Sequence, residues 1–184
     1  MSNLARTLLR SLVRDRRGTA ALELAAIFPF MMAMFFGCFE VTELVRVSMG
    51  LGVASDAVSD YVARAAEPGG TDPYSEVTNA CSGGQLMMAP FSGSFLGVAV
   101  ASVTYSTSSG TISVDWTNNS CGSGATAISN PVSLATPMLN NPGDSVIIVQ
   151  STYNYASPVS FVLQPTFTLT HLSYSRPRPT ATGS

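Results

Sequence analysis

Charge is what this sequence has least of. Only 11% of its 184 residues are Asp, Glu, Lys or Arg, against roughly a quarter in most soluble domains, so the make-up is not that of a typical cytosolic protein. Lysine is missing altogether, and all nine basic residues are arginines. Histidine occurs once, at His171, with no cysteine or second histidine near it in sequence, which excludes a metal site of recognisable spacing. Between residues 68 and 184 no pair of titratable groups stands at a catalytic spacing, and no serine or cysteine elbow serves His171. His171 therefore reads as a surface or packing residue, and no cofactor is implied. Two arginines near the end, Arg176 and Arg178, are too few for a nucleic-acid interface. No small-x-small cleavage site follows Phe39 at the right distance, which argues against ordinary secretion.

The charge that is present is unevenly placed. Five arginines (Arg6, Arg10, Arg14, Arg16 and Arg17) precede Gly18, opposed there by Asp15 alone, while four arginines face ten acidic residues afterwards. From Thr19 to Phe39 the chain runs for 21 residues with Glu23 as the sole ionisable group. That is long enough to cross a bilayer, yet a carboxylate at the bilayer centre costs about 2.5–3.5 kcal/mol. Basic residues on the N-terminal side of such a span keep residues 1–18 cytoplasmic and send the remainder across. The exported region holds Cys81 and Cys121, where oxidation would permit a disulfide closing a loop of about 40 residues. Two free thiols are the alternative. Cys38, inside the span, reads as a small apolar helix residue.

The periodicity predicts a helix from Thr19 to about Ala66, stopped by Pro68-Gly69-Gly70 and kinked by Pro29 near 27–30. Beyond the span, Leu44, Val47, Leu51, Ala54, Val58, Tyr61 and Ala65 form an apolar seam, with Val45, Met49, Val53 and Val62 expected to widen it. Residues 68–94 read as a loop with at most a helical turn at 84–88. Strands are expected at 97–105, 111–116, 145–155 and 166–174, the first two joined by a hairpin at 106–110. A long loop should fill the chain up to Asp144, and the tail from Arg176 should fray. Four antiparallel strands with one apolar face need a covering layer, which the seam supplies. The expected fold class is α+β. Its parts are a basic leader (1–18), a transmembrane helix (19–40), an amphipathic extension (41–67) and an extracytoplasmic β-rich domain (68–184).

Two further motifs are weaker. Phe35-Phe36-Gly37-Cys38 matches a lipoprotein signal poorly, lacking leucine three before the cysteine. Asn118-Asn119-Ser120 fits a glycosylation triplet of the kind that arises by chance.

Arg16-Arg17-Gly18, followed by Thr19-Ala20-Ala21-Leu22-Glu23-Leu24-Ala25, Pro29 and Phe36-Gly37-Cys38-Phe39-Glu40, resembles the class III signal sequence of type IV pilin-like proteins. Within that group the match is nearest to the TadE-like minor pseudopilins of the tight-adherence (Flp, type IVc) pilus. Leu24 stands where the pseudopilin pattern often has an aromatic residue. The resemblance implies cleavage after Gly18 by prepilin peptidase on the cytoplasmic side, leaving Thr19 as the new N-terminus. It also implies that Glu23 pairs with the N-terminal ammonium of a neighbouring subunit. Implied partners are that peptidase, the major Flp-type pilin, a second, TadF-like minor pseudopilin, the inner-membrane platform proteins and membrane lipid. The implied place is a bacterial inner membrane, crossed once, with the C-terminal domain periplasmic or extracellular. The contrasting expectation is an unprocessed signal-anchored protein whose exported domain binds a ligand or acts as an enzyme.

Overall fold

The computed structural model describes residues 18–160 and 165–178. Residues 1–17 of the leader, Arg16 and Arg17 included, lie outside them. The fold is α+β: one long helix, α1 (Thr19–Ala65), packs its second half on a four-stranded antiparallel sheet. At 47 residues, α1 is unbroken through Pro29 and about 70 Å long. It stops where the sequence predicts: Ala66 turns extended, its N–H still bonded to Val62 O, and Gly69 adopts a positive φ of 69° that favours glycine.

Val47, Leu51, Ala54 and Val58 of the seam are buried, and Val62 widens it as expected. Val45, Met49 and Val53 do not widen it; they are 45%, 68% and 64% exposed. At roughly 100° per residue these three lie about 120–160° around the helix from Leu51, on its outer flank. Ser55, Ser59 and Ala63 take the inner positions instead, and their small side chains let helix and sheet approach. Tyr61 sits at the margin of the seam, half-exposed, with its hydroxyl donating to Glu76 Oε2 at 2.8 Å.

The segment expected as a loop is a 14-residue helix, α2 (Tyr74–Met87). Its glycines, serine and asparagine are poor helix formers, so the helix owes its existence to packing. Val77, Ala80, Cys81 and Gly84 share its buried face against α1. A Cβ on Gly84 would stand 2.9 Å from Val58 Cγ2 and 3.5 Å from Leu96, so this glycine sets how closely the helices meet.

The sheet order is β2 (Ile112–Cys121), β1 (Leu96–Tyr105), β3 (Ser145–Ala156), β4 (Thr166–Ser175). The hairpin between β1 and β2 forms as expected, with Ser106 N–H donating to Thr111 O. β2 extends to Cys121 because that end is paired to Val98 and pinned to α2. The central strands are buried on both faces, not one. The supposed long loop contains α3 (Pro131–Ala135) and a 3-10 turn at Thr136–Met138, and Ala135 and Leu139 cover Val103, Val146 and Ile148 on the side away from α1. Of the tail expected to fray, residues 176–178 are tied down, and 179–184 lie outside the described residues. Arg176 donates to Met138 O, and Arg178 reaches Asp60 through its side chain and Ala63 O through its N–H.

Helix and sheet are joined along β4 by polar contacts that rise in step. His171 lies against Gly52, Ser173 Oγ donates to Asp56 at 2.7 Å, and Ser59 Oγ donates to Ser175 Oγ at 2.8 Å. α1 and β4 therefore run in the same direction side by side.

Candidate functional site

The candidate site is the N-terminal half of α1. Gly18 caps the helix with a near-helical φ of −85° and no side-chain cap, it is exposed, and a Cβ placed on it would meet nothing within 4 Å among the described residues. Thr19 opens the first turn. Glu23 follows one turn later, exposed, with no ion pair among the described residues. From Thr19 to Met31 every residue is exposed, including Leu22 and Phe30 at 72% each. This half of the helix has a mean hydropathy of 1.9 over its most apolar stretch and is long and apolar enough to cross a membrane. Hydrocarbon can satisfy its side chains, and the helix satisfies its own backbone. Neither satisfies the Glu23 carboxylate.

The folded domain begins with no spacer beyond this span. Glu40, one residue past Phe39, is fully buried, and the lower end of β3 stands at the same height. Burial raises the Tyr155 hydroxyl above its ordinary value; the Glu43 and Glu40 carboxylates push it the same way, and the Ser157 hydroxyl acts against them. The folded state thus disfavours the phenolate, so the unfolded chain loses this proton first once pH passes about 10. The stability that Tyr155 contributes is complete below that value and is lost as pH climbs through the raised one. In Glu43→Gln, absorbance titration should show Tyr155 ionising at lower pH than in the parent chain. An unmoved titration would exclude Glu43 as a cause.

The Cys81–Cys121 bond forms, joining α2 to the end of β2 with Cα atoms 5.8 Å apart, inside the usual 4.4–6.8 Å range. Cys38 is exposed on α1. Asn118 is buried; it donates to Asp72 at 2.9 Å and accepts from the Ser120 N–H and hydroxyl, which occupies the triplet structurally. Trp116 and Tyr153 are core residues, and Tyr153 donates to Ser92 O. A notch of about 150 Å³ between α1 and α2 is lined by Ala57, Val58, Tyr61, Ala80 and Gly84 among others. It is apolar, with Tyr61 its sole titratable group. Apolarity alone would place the outer flank made by Met49 and Val53 in the core. The row of small residues at Ser55, Ser59 and Ala63 was the signal that the inner face lay elsewhere.

No protein family, curated protein or solved structure matches this chain.

Proposed function

We propose that the chain is a minor pseudopilin of the TadE-like kind, a structural and not an enzymatic subunit, which helps to assemble a tight-adherence pilus after removal of residues 1–18. The observation that carries this reading is the bare first half of α1. It is capped by Gly18, stands clear of its own domain, and holds Glu23 with no ion pair among the described residues. A helix of this kind is completed by other helices. Its apolar surface does not end with the span either, since Val41, Val45, Met49 and Val53 remain exposed at intervals of four residues. Such a row is the ridge that packs between neighbouring helices.

In this reading prepilin peptidase cuts between Gly18 and Thr19 in the cytoplasm, with Arg16 and Arg17 holding the leader there. The new ammonium at Thr19 of one subunit pairs with Glu23 of the next, since a buried charge is tolerated when paired. The major pilin, the TadF-like sister and the platform proteins supply the neighbouring helices in a bacterial inner membrane.

Glu23→Ala tests the pairing. The variant should be processed like the parent, because Glu23 lies beyond the scissile bond, but piliated cells should fall to a small fraction of the parent count by electron microscopy. Normal piliation with normal processing would remove Glu23 from assembly.

A further inference from the structure

The ionisable groups of the folded domain are sorted by height above the span. Because α1 and β4 rise together, the pairs Arg178–Asp60 and Arg176–Asp144 mark the far end of the domain. Asp115, bonded to Thr104 near the top of β1, belongs there too. The near end is different. Between Glu76 and Asp115 the sequence has no charged residue, and β3, β4 and the turn between them have none. The near end comprises the α2–β1 turn and the start of the β3–β4 turn, where Phe95 is 47% exposed and Val159 38%. Pro90 and Pro158 beside them are exposed as well. The charged groups at this height all belong to α1: Glu40 is buried, and Glu43 and Arg46 pair with each other at 2.9 Å.

Height can be read from the register. Gly52 is 13 residues beyond Phe39, about 20 Å along the helix, and faces His171, which pairs with Ser151. Tyr153, two residues lower on β3, pairs with Leu96, which puts Phe95 about 10 Å above the end of the span. Ala156 lies lower by three more residues, and Val159 follows it. The interfacial zone of each leaflet is about 5–8 Å deep, and an ordinary helix tilt of about 20° brings the domain side of α1 nearer to it.

We propose that this uncharged end rests on the headgroup region of the bilayer that α1 crosses, with Phe95 and Val159 as its apolar contacts. The inference rests on reading α1 as a membrane span. A lipid surface is the occupant because two turns far apart in sequence are brought to the level of the bilayer, and because they present apolar groups with no charge for a protein partner to select. One contact through α1 leaves the domain free to swivel; a second fixes rotation and tilt, so that Met49 and Val53 face one direction.

Full-length chain with Cys38→Ser, reconstituted in phosphatidylcholine vesicles containing a headgroup-spin-labelled phosphatidylcholine, tests the contact. An environment-sensitive fluorophore is placed at Phe95→Cys, Val159→Cys, the distal Thr107→Cys or the span residue Phe28→Cys. Labels at 95 and 159 should emit blue-shifted light and be quenched several-fold more than the label at 107, unchanged by high salt. Adding Phe95→Ser should reduce quenching at 159. Labels at 95 and 159 as wet as the one at 107, with 28 in lipid, would overturn the proposal and leave the span intact. A salt-sensitive contact would also overturn it, by pointing to charge on another chain. A label at 28 that reads water would remove the span, and the proposal with it.

Discussion

If prepilin peptidase cuts after Gly18 as proposed, a chain carrying Gly18→Ile should keep its first 18 residues. Protease clefts bind extended backbone, and glycine offers no side chain to obstruct the approach of the catalytic carboxylates to the Gly18–Thr19 bond. The position is well suited to the test because Gly18 caps α1 without a side-chain bond and, among the described residues, an added Cβ touches nothing. The variant should insert and fold like the parent while losing essentially all processing. Intact mass of the membrane fraction reads the result directly. A chain that still begins at Thr19 would place the specificity of cleavage elsewhere, and a parent chain that begins at Met1 in cells with the peptidase would end the pseudopilin reading.

The second large effect falls on the domain and not on the span. Cys81→Ser, with Cys121→Ser to avoid a stray thiol, should cost about 4 kcal/mol, the loop-closure value for a loop of roughly 40 residues. The cost should be concentrated in α2. Without the bond, this helix keeps the contacts of Val77, Ala80 and Gly84 and the Tyr61–Glu76 hydrogen bond on a sequence that forms a helix poorly. Amide exchange should therefore quicken first across 74–87, with β3 and β4 protected longer. Loss of protection spread evenly over the sheet would mean that α2 and the sheet unfold as one unit. Denaturant unfolding that leaves the midpoint unmoved would show the bond to be thermodynamically idle.

The two variants separate what was legible in the chain from what was not. The roles proposed for Gly18, Thr19 and Glu23 rest on spacing alone: a glycine, a carboxylate one turn into the helix and an apolar run behind it. The strands at β1, β3 and β4 were legible for the same reason, as runs of Val, Ile, Thr and Tyr between turn residues. α2 was not, because Gly83 and Gly84 argue locally against a helix and only Val58 and Leu96, far away in sequence, explain why glycine is wanted at 84. Val45, Met49 and Val53 were misplaced because apolarity says that a side chain avoids water without saying what covers it. On α1, neighbouring chains or lipid can do so as well as the sheet.

By itself the sequence determined the length and ends of α1, its apolar first half, the lone carboxylate and the hairpin. Each depends on residues within a turn or two of one another, where backbone geometry and side-chain period act directly. Only the tertiary structure decided which flank of α1 meets the sheet, that both faces of β1 and β3 are covered, and that Cys81 and Cys121 are joined. It likewise decided that Arg178 holds the tail against Asp60 and that the uncharged turns at Phe95 and Val159 share one height beside the span. These depend on which distant segments pack together, a choice made by shape and burial across the whole chain and written in no single stretch of it.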